Sequence, residues 1–352
     1  AGAAAGDDDE GGKKAVRPPG SRWRTALRRT RWLQCLLLLG CLALSVNVVL
    51  LLGSVTDPAG GGSADTAAAL LRDLGPAQPH ELFTVAVNTY KRPHMLRDAL
   101  QHYSRCPYAR YIHVVWSEPE PPPAELVASV DPDRVFFDVH PSDSLNNRFK
   151  PLPEPHTEGV LSVDDDMRVP CRELYVAHEV WRGSEHAIVG YMPRIHVRGA
   201  AADRWVYRCY WRVWWGAAYS IVLTKAAFLA HRWFEEYTSS MDARVREFVD
   251  SAGNCEDIAM QFLVAERTGR PPIYVQGHLS DLGVFNGIST NQNVVQAKHM
   301  DERSHCLNEL ADLFGGMPLV KSHAVVASPW DGWGPAPSTW FDYISSDLWN
   351  FT

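Results

Sequence analysis

The segment Val160-Leu161-Ser162-Val163 is an apolar run with β-branched residues, and it ends in three adjacent carboxylates, Asp164-Asp165-Asp166. A continuous apolar run of this length suits a strand covered on both faces. Such a strand belongs in a sheet packed between helices, which restricts the body of the chain to an α/β architecture. Open α/β sheets bind ligands beyond the carboxyl ends of their strands, and that is where these acids fall. If the extended geometry continues, Asp164 and Asp166 point to one side and Asp165 to the other, so at most two acids converge on one ion. Oxygen ligands of this kind suit Mg²⁺ or Mn²⁺, which keep waters and bridge to substrate phosphates. A solvated turn explains three acids in a row equally simply, so the rest of the chain has to decide.

The segments around this strand support the α/β assignment. Residues 83–88, 111–116 and 135–139 have strand character, and Thr89-Tyr90-Lys91-Arg92-Pro93 turns the first of them into a helix reaching to about residue 103. Strands separated by helical stretches indicate βαβ units and a mainly parallel sheet. Arg92 therefore sits at a strand-to-helix junction, where a guanidinium and a helix N-terminus can both face a phosphate. The polar cluster 142–150 holds short side chains suited to reading a nucleotide, with Arg148 in reach of a phosphate or base; a capped helix start accounts for it equally well. An amphipathic helix is expected over 171–183 and a strand over 186–191.

The aromatic stretch 205–215 suits stacking on sugar faces or packing in a core. A strand over 219–223 is expected to lead into a helix ending at Tyr237. Asn254-Cys255-Glu256-Asp257 has the form of a helix entry, with Asn254 as cap and two acids at the positive dipole end. One of those carboxylates can still lean into a cleft. A strand is expected over 272–276, residues 277–296 suit a mobile lid, and Arg303-Ser304-His305-Cys306 starts another helix. The stretch 330–352 is rich in Pro and Trp and shows no usable period.

Ahead of Leu33 there are eight Lys and Arg against four acids. Of the chain's 34 bases and 41 acids, that leaves 26 against 37 for the remainder, which argues against nonspecific nucleic-acid binding by the body. Residues 32–53 carry no charge, and at about 1.5 Å per residue they are long enough to cross a hydrocarbon core of roughly 30 Å. With the basic cluster held in the cytosol, the expected arrangement is a cytosolic tail (1–31), a transmembrane signal anchor (32–53), a lumenal stem (54–80) and a catalytic domain (81–345). That is a single-pass type II membrane protein. Cys35 and Cys41 lie in the apolar segment, so five cysteines remain for the body, an odd number, and no Cys/His spacing suggests zinc.

Seven pieces occur in one order: Thr89-Tyr90-Lys91-Arg92, His113-Val114-Val115-Trp116, Asn147-Arg148, Val163-Asp164-Asp165-Asp166, Asn254-Cys255-Glu256-Asp257-Ile258-Ala259-Met260, Arg303-Ser304-His305-Cys306 and Gly316-Met317-Pro318-Leu319. Together they resemble the exostosin-like glycosyltransferases, glycosyltransferase family 64, over about residues 83–319. Trp116-Ser117-Glu118-Pro119, the segment 143–150, Trp214-Trp215 and Tyr219-Ser220 are similar to the plant glycosylinositol phosphorylceramide mannosyltransferase branch of that family.

The resemblance implies a GT-A fold, with a mixed, mainly parallel sheet flanked by helices, following one N-terminal transmembrane helix. It implies a retaining, Mn²⁺-supported Golgi transferase. The expected donor is GDP-mannose, or a UDP-N-acetylhexosamine as in the animal branch, and the acceptor a glycolipid or glycan. It assigns Asp166 to the metal, Asp164 and Asp165 to the ribose and donor sugar, Arg92 and Arg148 to the nucleotide, and Arg303 to the diphosphate. Glu256 joins the donor site, Asp257 stands beside the anomeric carbon, and Cys255 and Cys306 form a disulfide. Ser117 and Asp143 stand where the animal enzymes place Asn against the nucleotide, which is compatible with guanine. The partners of Cys106, Cys171 and Cys209 stay open. The competing expectations are a UDP-GlcNAc or UDP-GalNAc transferase acting on a glycan, and a catalytically silent carbohydrate-binding protein on the same fold.

Overall fold

The computed structural model describes residues 79–199, 204–282 and 293–327, with side chains in the last segment described from 298 onward. The tail 1–31, the apolar segment 32–53, most of the stem 54–80, residues 283–292 of the expected lid and the stretch 330–352 lie outside the described residues; the last four lid residues, 293–296, are helical. Among those described, no helix is long and apolar enough to cross a membrane. Chain contacts divide between Asp73 and Leu74, and the description that follows concerns the second unit.

The first half follows the βαβ expectation. β1 (Phe83–Thr89) leads through Arg92 into α1 (Pro93–Ser104), whose first turn is started by Pro93, a residue whose missing N–H costs nothing there. β2 (Ala109–Trp116), α2 (Ala124–Ala128) and β3 (Val135–Val139) follow, then a 3₁₀ turn (Leu145–Phe149) and β4 (Gly159–Asp164). β3, β2, β1 and β4 lie side by side and parallel, so their carboxyl ends share one edge of the sheet. Apart from Asp164, β4 is buried throughout. Gly159 is needed where α3 (Cys171–Arg182) crosses the strand, because a Cβ there would stand 2.6 Å from the Trp181 ring.

β4 does not continue as extended chain past Asp164. Asp165 and Asp166 form a turn into the two-residue β5 (Met167–Arg168), so the alternation expected for the acids fails at its second step. The reason lies in the tertiary structure. The Asp165 N–H is taken by the Asn88 carbonyl, and the Leu282 N–H by that of Asp166.

The second half departs further from expectation. The strand expected over 186–191 is only β6 (Val189–Gly190), and that expected over 219–223 is only β9 (Ile221–Val222). β9 joins β7 (Pro193–Arg198) and β8 (Trp205–Arg208) in a small separate sheet. The helix expected to run up to Tyr237 is preceded by β10 (Ala226–Ala230), the antiparallel strand between β4 and β6 in the eight-stranded sheet. Every residue of β10 is fully buried. Its composition, Ala-Ala-Phe-Leu-Ala, favours helix, and two-sided burial in the sheet overrides that preference. Small residues are required here. A Cβ at Gly190 would meet the Ala226 carbonyl oxygen at 2.5 Å.

Between β8 and β9 lies the short helix α4 (Tyr210–Gly216). After β10 come α5 (His231–Ser239), α6 (Ala243–Ala252), α7 (Glu256–Thr268), β11 (Ile273–Gln276), β12 (Ser280–Asp281), α8 (Asn293–Leu313) and β13 (Val325–Ala327). Arg303 was expected to open a helix. It lies instead in the middle of α8, on a turn that faces the amino end of α7. The whole is a mixed α/β layer with a mostly parallel central sheet flanked by helices.

Two disulfides tie helices together. Cys106–Cys171 joins the chain just after α1 to the start of α3, and Cys255–Cys306 joins the start of α7 to α8. The first pairing was left open by the sequence, and the second is the one the resemblance implied. They close loops of 65 and 51 residues, each contributing about 4 kcal/mol through the chain entropy of the unfolded state. Cys209 is the free thiol among the described residues.

Candidate active site

The carboxyl ends of β1, β2 and β4 bring Thr89 to Arg92, Ser117 and Asp164 to Asp166 to one edge, as ligand sites in open sheets require. Arg92 donates to Asp166 at 2.9 Å and to Asp165 through its other terminal nitrogen. Thr89 Oγ1 donates to the second Asp165 oxygen at 2.7 Å. Asp164 instead receives Arg148 at 2.5 Å. Asp165 and Asp166 thus share one arginine and Asp164 has another, which corrects the expected grouping of Asp164 with Asp166. The turn after Asp164 causes this.

The polar segment 142–150 is divided between architecture and site. Ser144 caps the 3₁₀ turn, and Asn146 donates to the Arg246 carbonyl and Asp250 while accepting from the Tyr237 hydroxyl. Both hold α5 and α6 in place. Asn147, which the site assignment passed over, turns the other way and donates to Ser117 Oγ at 3.1 Å, so Ser117 and Arg148 lie close together. Asp143 is exposed in the preceding loop, within electrostatic reach of Lys91 rather than inside the cluster.

Arg148 also approaches Glu256 at 3.5 Å, which connects the sheet edge to α7. Cys255 takes a left-handed backbone at φ 84° and serves as the helix cap without a side-chain bond. Asn254 bonds only the neighbouring Cys255 N–H, so the expected capping role is not what it performs. Asp257 pairs with Arg303 across the α7–α8 contact and also accepts from the Ile258 N–H at 2.7 Å. The guanidinium of Arg303 lies 5.5 Å from the Tyr207 ring centre. A chain of alternating charges therefore runs from Arg92 through the three acids to Arg148, and then through Glu256 and Asp257 to Arg303.

Burial sets the protonation of these groups. It pushes Asp165 up to about 7 against the opposing pull of Arg92, and raises Asp164 against Arg148. Burial, with the neighbouring Asp257 charge, pushes Glu256 up to about 7. Asp257 shares the same burial, but Arg303 and its hydrogen bond outweigh it and hold the carboxyl below its usual range. So Asp257 is a firm carboxylate beside a partly protonated Glu256. Sequence reasoning missed other groups near the cluster: Lys225, which pairs with Asp281 and stabilises the ionised Asp164, and half-buried His299. No sequence signal pointed to His299, because the helix was read as starting at Arg303 and its i,i+4 spacing counts only once α8 is known to begin at Asn293.

Several buried polar atoms of the cluster have no hydrogen-bond partner: Arg92 Nε, Arg148 Nη1, Arg303 Nε, Asn147 Oδ1 and Asp166 Oδ1. Three are arginine N–H donors that could face an anion, and Asn147 Oδ1 is an acceptor open to a ligand donor. The remaining atom, Asp166 Oδ1, is a carboxylate oxygen open to a cation. Among the described residues no group of three or more His, Cys, Asp or Glu side chains could hold a metal alone.

A model of the glycosyl transferase family 64 domain matches residues 83–330, which takes in every residue of this cluster. The chain belongs to glycosyl transferase family 64. Among family 64 relatives, it is 39% identical over 252 residues to glycosylinositol phosphorylceramide mannosyl transferase 1 of Arabidopsis thaliana, covering 68% of this chain and 74% of that one. It is 34% identical to glucosamine inositolphosphorylceramide transferase 1 of the same plant, over 71% of this chain and 32% of the relative. It is 37% identical to human exostosin-2, over 67% of this chain and 33% of the relative. The family and these relatives make the chain a glycosyltransferase, whose donor is a nucleotide sugar and whose acceptor is a glycan or glycolipid.

Proposed function

We propose that this family 64 chain is a GT-A transferase of the Golgi lumen, anchored as a single-pass type II protein through residues 32–53. In this reading it moves mannose, with retention, from GDP-mannose to a glycosylinositol phosphorylceramide headgroup. The observation that carries the donor site is the set of buried, unsatisfied atoms on Arg92, Arg148, Arg303 and Asp166. Leaving such atoms unpaired is costly, so the edge is built for a ligand that supplies both anion and cation. A nucleoside diphosphate with a divalent ion is that ligand. The choice of mannose and of a lipid acceptor rests on the likeness to the Arabidopsis mannosyl transferase and on Ser117 beside Asn147. The two disulfides suit an oxidising compartment.

Asp166 fits Mn²⁺ because its free Oδ1 is buried and has no donor to satisfy it. With one protein carboxylate, the ion would complete its shell from the donor phosphates and water. Bound there, Mn²⁺ would offset the negative charge that builds on the departing diphosphate. Arg303 would hold the same diphosphate from the α8 side, and Arg148 the nucleotide beside the carboxyl end of β4. Asp257, kept ionised by Arg303, would face the oxocarbenium-like carbon and stabilise its positive charge. Its hydrogen bonds to Arg303 and Ile258 occupy one of its oxygens and lower its basicity, which supports same-face attack over a covalent bond to Asp257. The acceptor proton then passes to a donor phosphate oxygen.

Transfer of an N-acetylhexosamine from a UDP donor is the second reading. It is favoured by the likeness to the relative named as a glucosamine transferase. Incubating the purified chain with GDP-mannose or a UDP-N-acetylhexosamine and an inositol phosphorylceramide glycolipid, then reading product mass and anomeric configuration, separates the two. A mannosylated, configuration-retained product that disappears with Asp166→Ala is expected. Hexosamine addition in its place would overturn the mannose assignment.

A further inference from the structure

The short helix α4 contributes no residue to the donor cluster, yet it carries exposed aromatic side chains. Of its seven residues only Val213 is buried. Trp215 is 75% exposed and Trp214 40%, and these are the two aromatic members of the large exposed apolar residues among the described ones. Trp214 packs edge-on against both Trp211 and Trp215, with ring centres 6.2 and 5.1 Å apart. An exposed aromatic cluster of this kind marks an interaction surface. Arg204 and Arg208, which precede α4 in the chain, and Arg212 within it are all exposed. No Asp or Glu occurs from Arg204 to Leu223, although the chain as a whole has a net charge of −7.

We propose that α4, with Arg204, Arg208 and Arg212, docks the domain on an anionic lipid surface. Indole rings settle at headgroup depth, and guanidinium groups beside them meet lipid phosphates. A sugar platform needs an open ring face with carboxylates or amides at its border. No Asp, Glu, Asn or Gln lies in α4 to border such a platform. A protein partner would use the same residue types, so the assignment to lipid also rests on the lipid acceptor argued above. Position supports it. Tyr207, three residues before α4, packs beside Arg303, so the chain leads directly from the donor site into α4.

The test is hydroxyl-radical footprinting of the full chain with lipid nanodiscs, made of phosphatidylcholine alone or with added inositol phosphorylceramide, the anionic lipid class of the proposed acceptor. Oxidation of the peptide holding Trp214 and Trp215 should fall about fivefold in the anionic discs. Buried Trp233 should not change. Arg208→Ala with Arg212→Ala should abolish the protection. Equal oxidation in both discs, or protection by a soluble oligosaccharide without lipid, would overturn the proposal. In a second measurement, Trp214→Ser with Trp215→Ser should slow transfer to a disc-embedded glycolipid about tenfold and leave GDP-mannose hydrolysis unchanged. Equal loss of both would indicate a folding defect or a role in the donor site and would also overturn it. If the parent chain does not hydrolyse GDP-mannose, the donor assignment fails while the footprint still decides docking.

Discussion

At the scale of single residues, the site is a set of buried charges that compensate one another imperfectly. Asp257 and Arg303 are the most closely matched pair, with 6% and 12% of their side-chain surface exposed. Asp257→Asn would leave the Arg303 guanidinium without its ion partner, which costs about 3 kcal/mol for a buried pair. Transfer is expected to fall about a hundredfold or more, with the thermal midpoint lowered. Single-turnover kinetics on the folded variant checks this.

Glu256 gives a pH dependence. With the Glu256 pKa pushed up to about 7, the folded chain retains a proton that the unfolded chain has lost above about 4.5. Stability from this group is therefore greatest at low pH and falls as pH rises towards 7. Once ionised, Glu256 competes for Arg148. Affinity for GDP-mannose, whose diphosphate does not titrate in this range, is thus expected to weaken between pH 6 and 8, and Glu256→Gln should reduce the slope, what remains coming from Asp165, which burial also pushes up to about 7. Calorimetric titration at several pH values measures it.

Much of this cluster was visible in the sequence. Arg92 and Asp164 to Asp166 follow strands that apolar runs made plain, Arg148 came from the polar segment 142–150, and Glu256, Asp257 and Arg303 entered through the family resemblance. What could not be read was which arginine meets which acid, because one turn after Asp164 decides it. Asp143 stands apart from the cluster for a similar reason, since its loop is set by the packing of the 3₁₀ turn against α5 and α6.

At the scale of elements, the legible half is the half built from local signals. β1, α1, β2 and β3 follow from apolar runs broken by Pro93 and polar turns, and their observed bounds differ little from the expected ones. β10 was missed because nothing in Ala-Ala-Phe-Leu-Ala distinguishes a buried strand from a helix. The start of α8 was placed ten residues late, at Arg303, because residues 293–302 are mostly polar and give a weak helical pattern. The small residues that permit β10 to sit against β6 carry a prediction. Gly190→Ala forces a methyl group against the Ala226 carbonyl and should destabilise by about 1–3 kcal/mol, seen as a lower urea midpoint with an unchanged slope. The disulfides act at this scale too. Cys106→Ser with Cys171→Ser should cost about 2–5 kcal/mol without altering donor affinity, since the bridge lies between α1 and α3 and not in the charge chain.

At the scale of the whole molecule, the sheet gives two neighbouring faces of one task. The parallel half presents its carboxyl edge, and the helices of the second half bring Glu256, Asp257 and Arg303 up to it. The disulfide between Cys255 and Cys306 fixes that approach within the residues adjoining Asp257 and Arg303. Family membership accounts for transfer chemistry, while the pattern of unsatisfied atoms specifies where a charged donor would lie. The central claim is that this edge is a metal-assisted site for a nucleotide sugar. Its most direct test is calorimetric titration of the purified chain with GDP-mannose, UDP-GlcNAc and UDP-GalNAc, each with Mn²⁺ and with EDTA, alongside Asp166→Ala. Saturable binding of GDP-mannose in Mn²⁺, weakened at least about tenfold by EDTA and by the substitution, is the expected result. A folded chain that binds none of the three donors, or binds one equally well without metal, would contradict it.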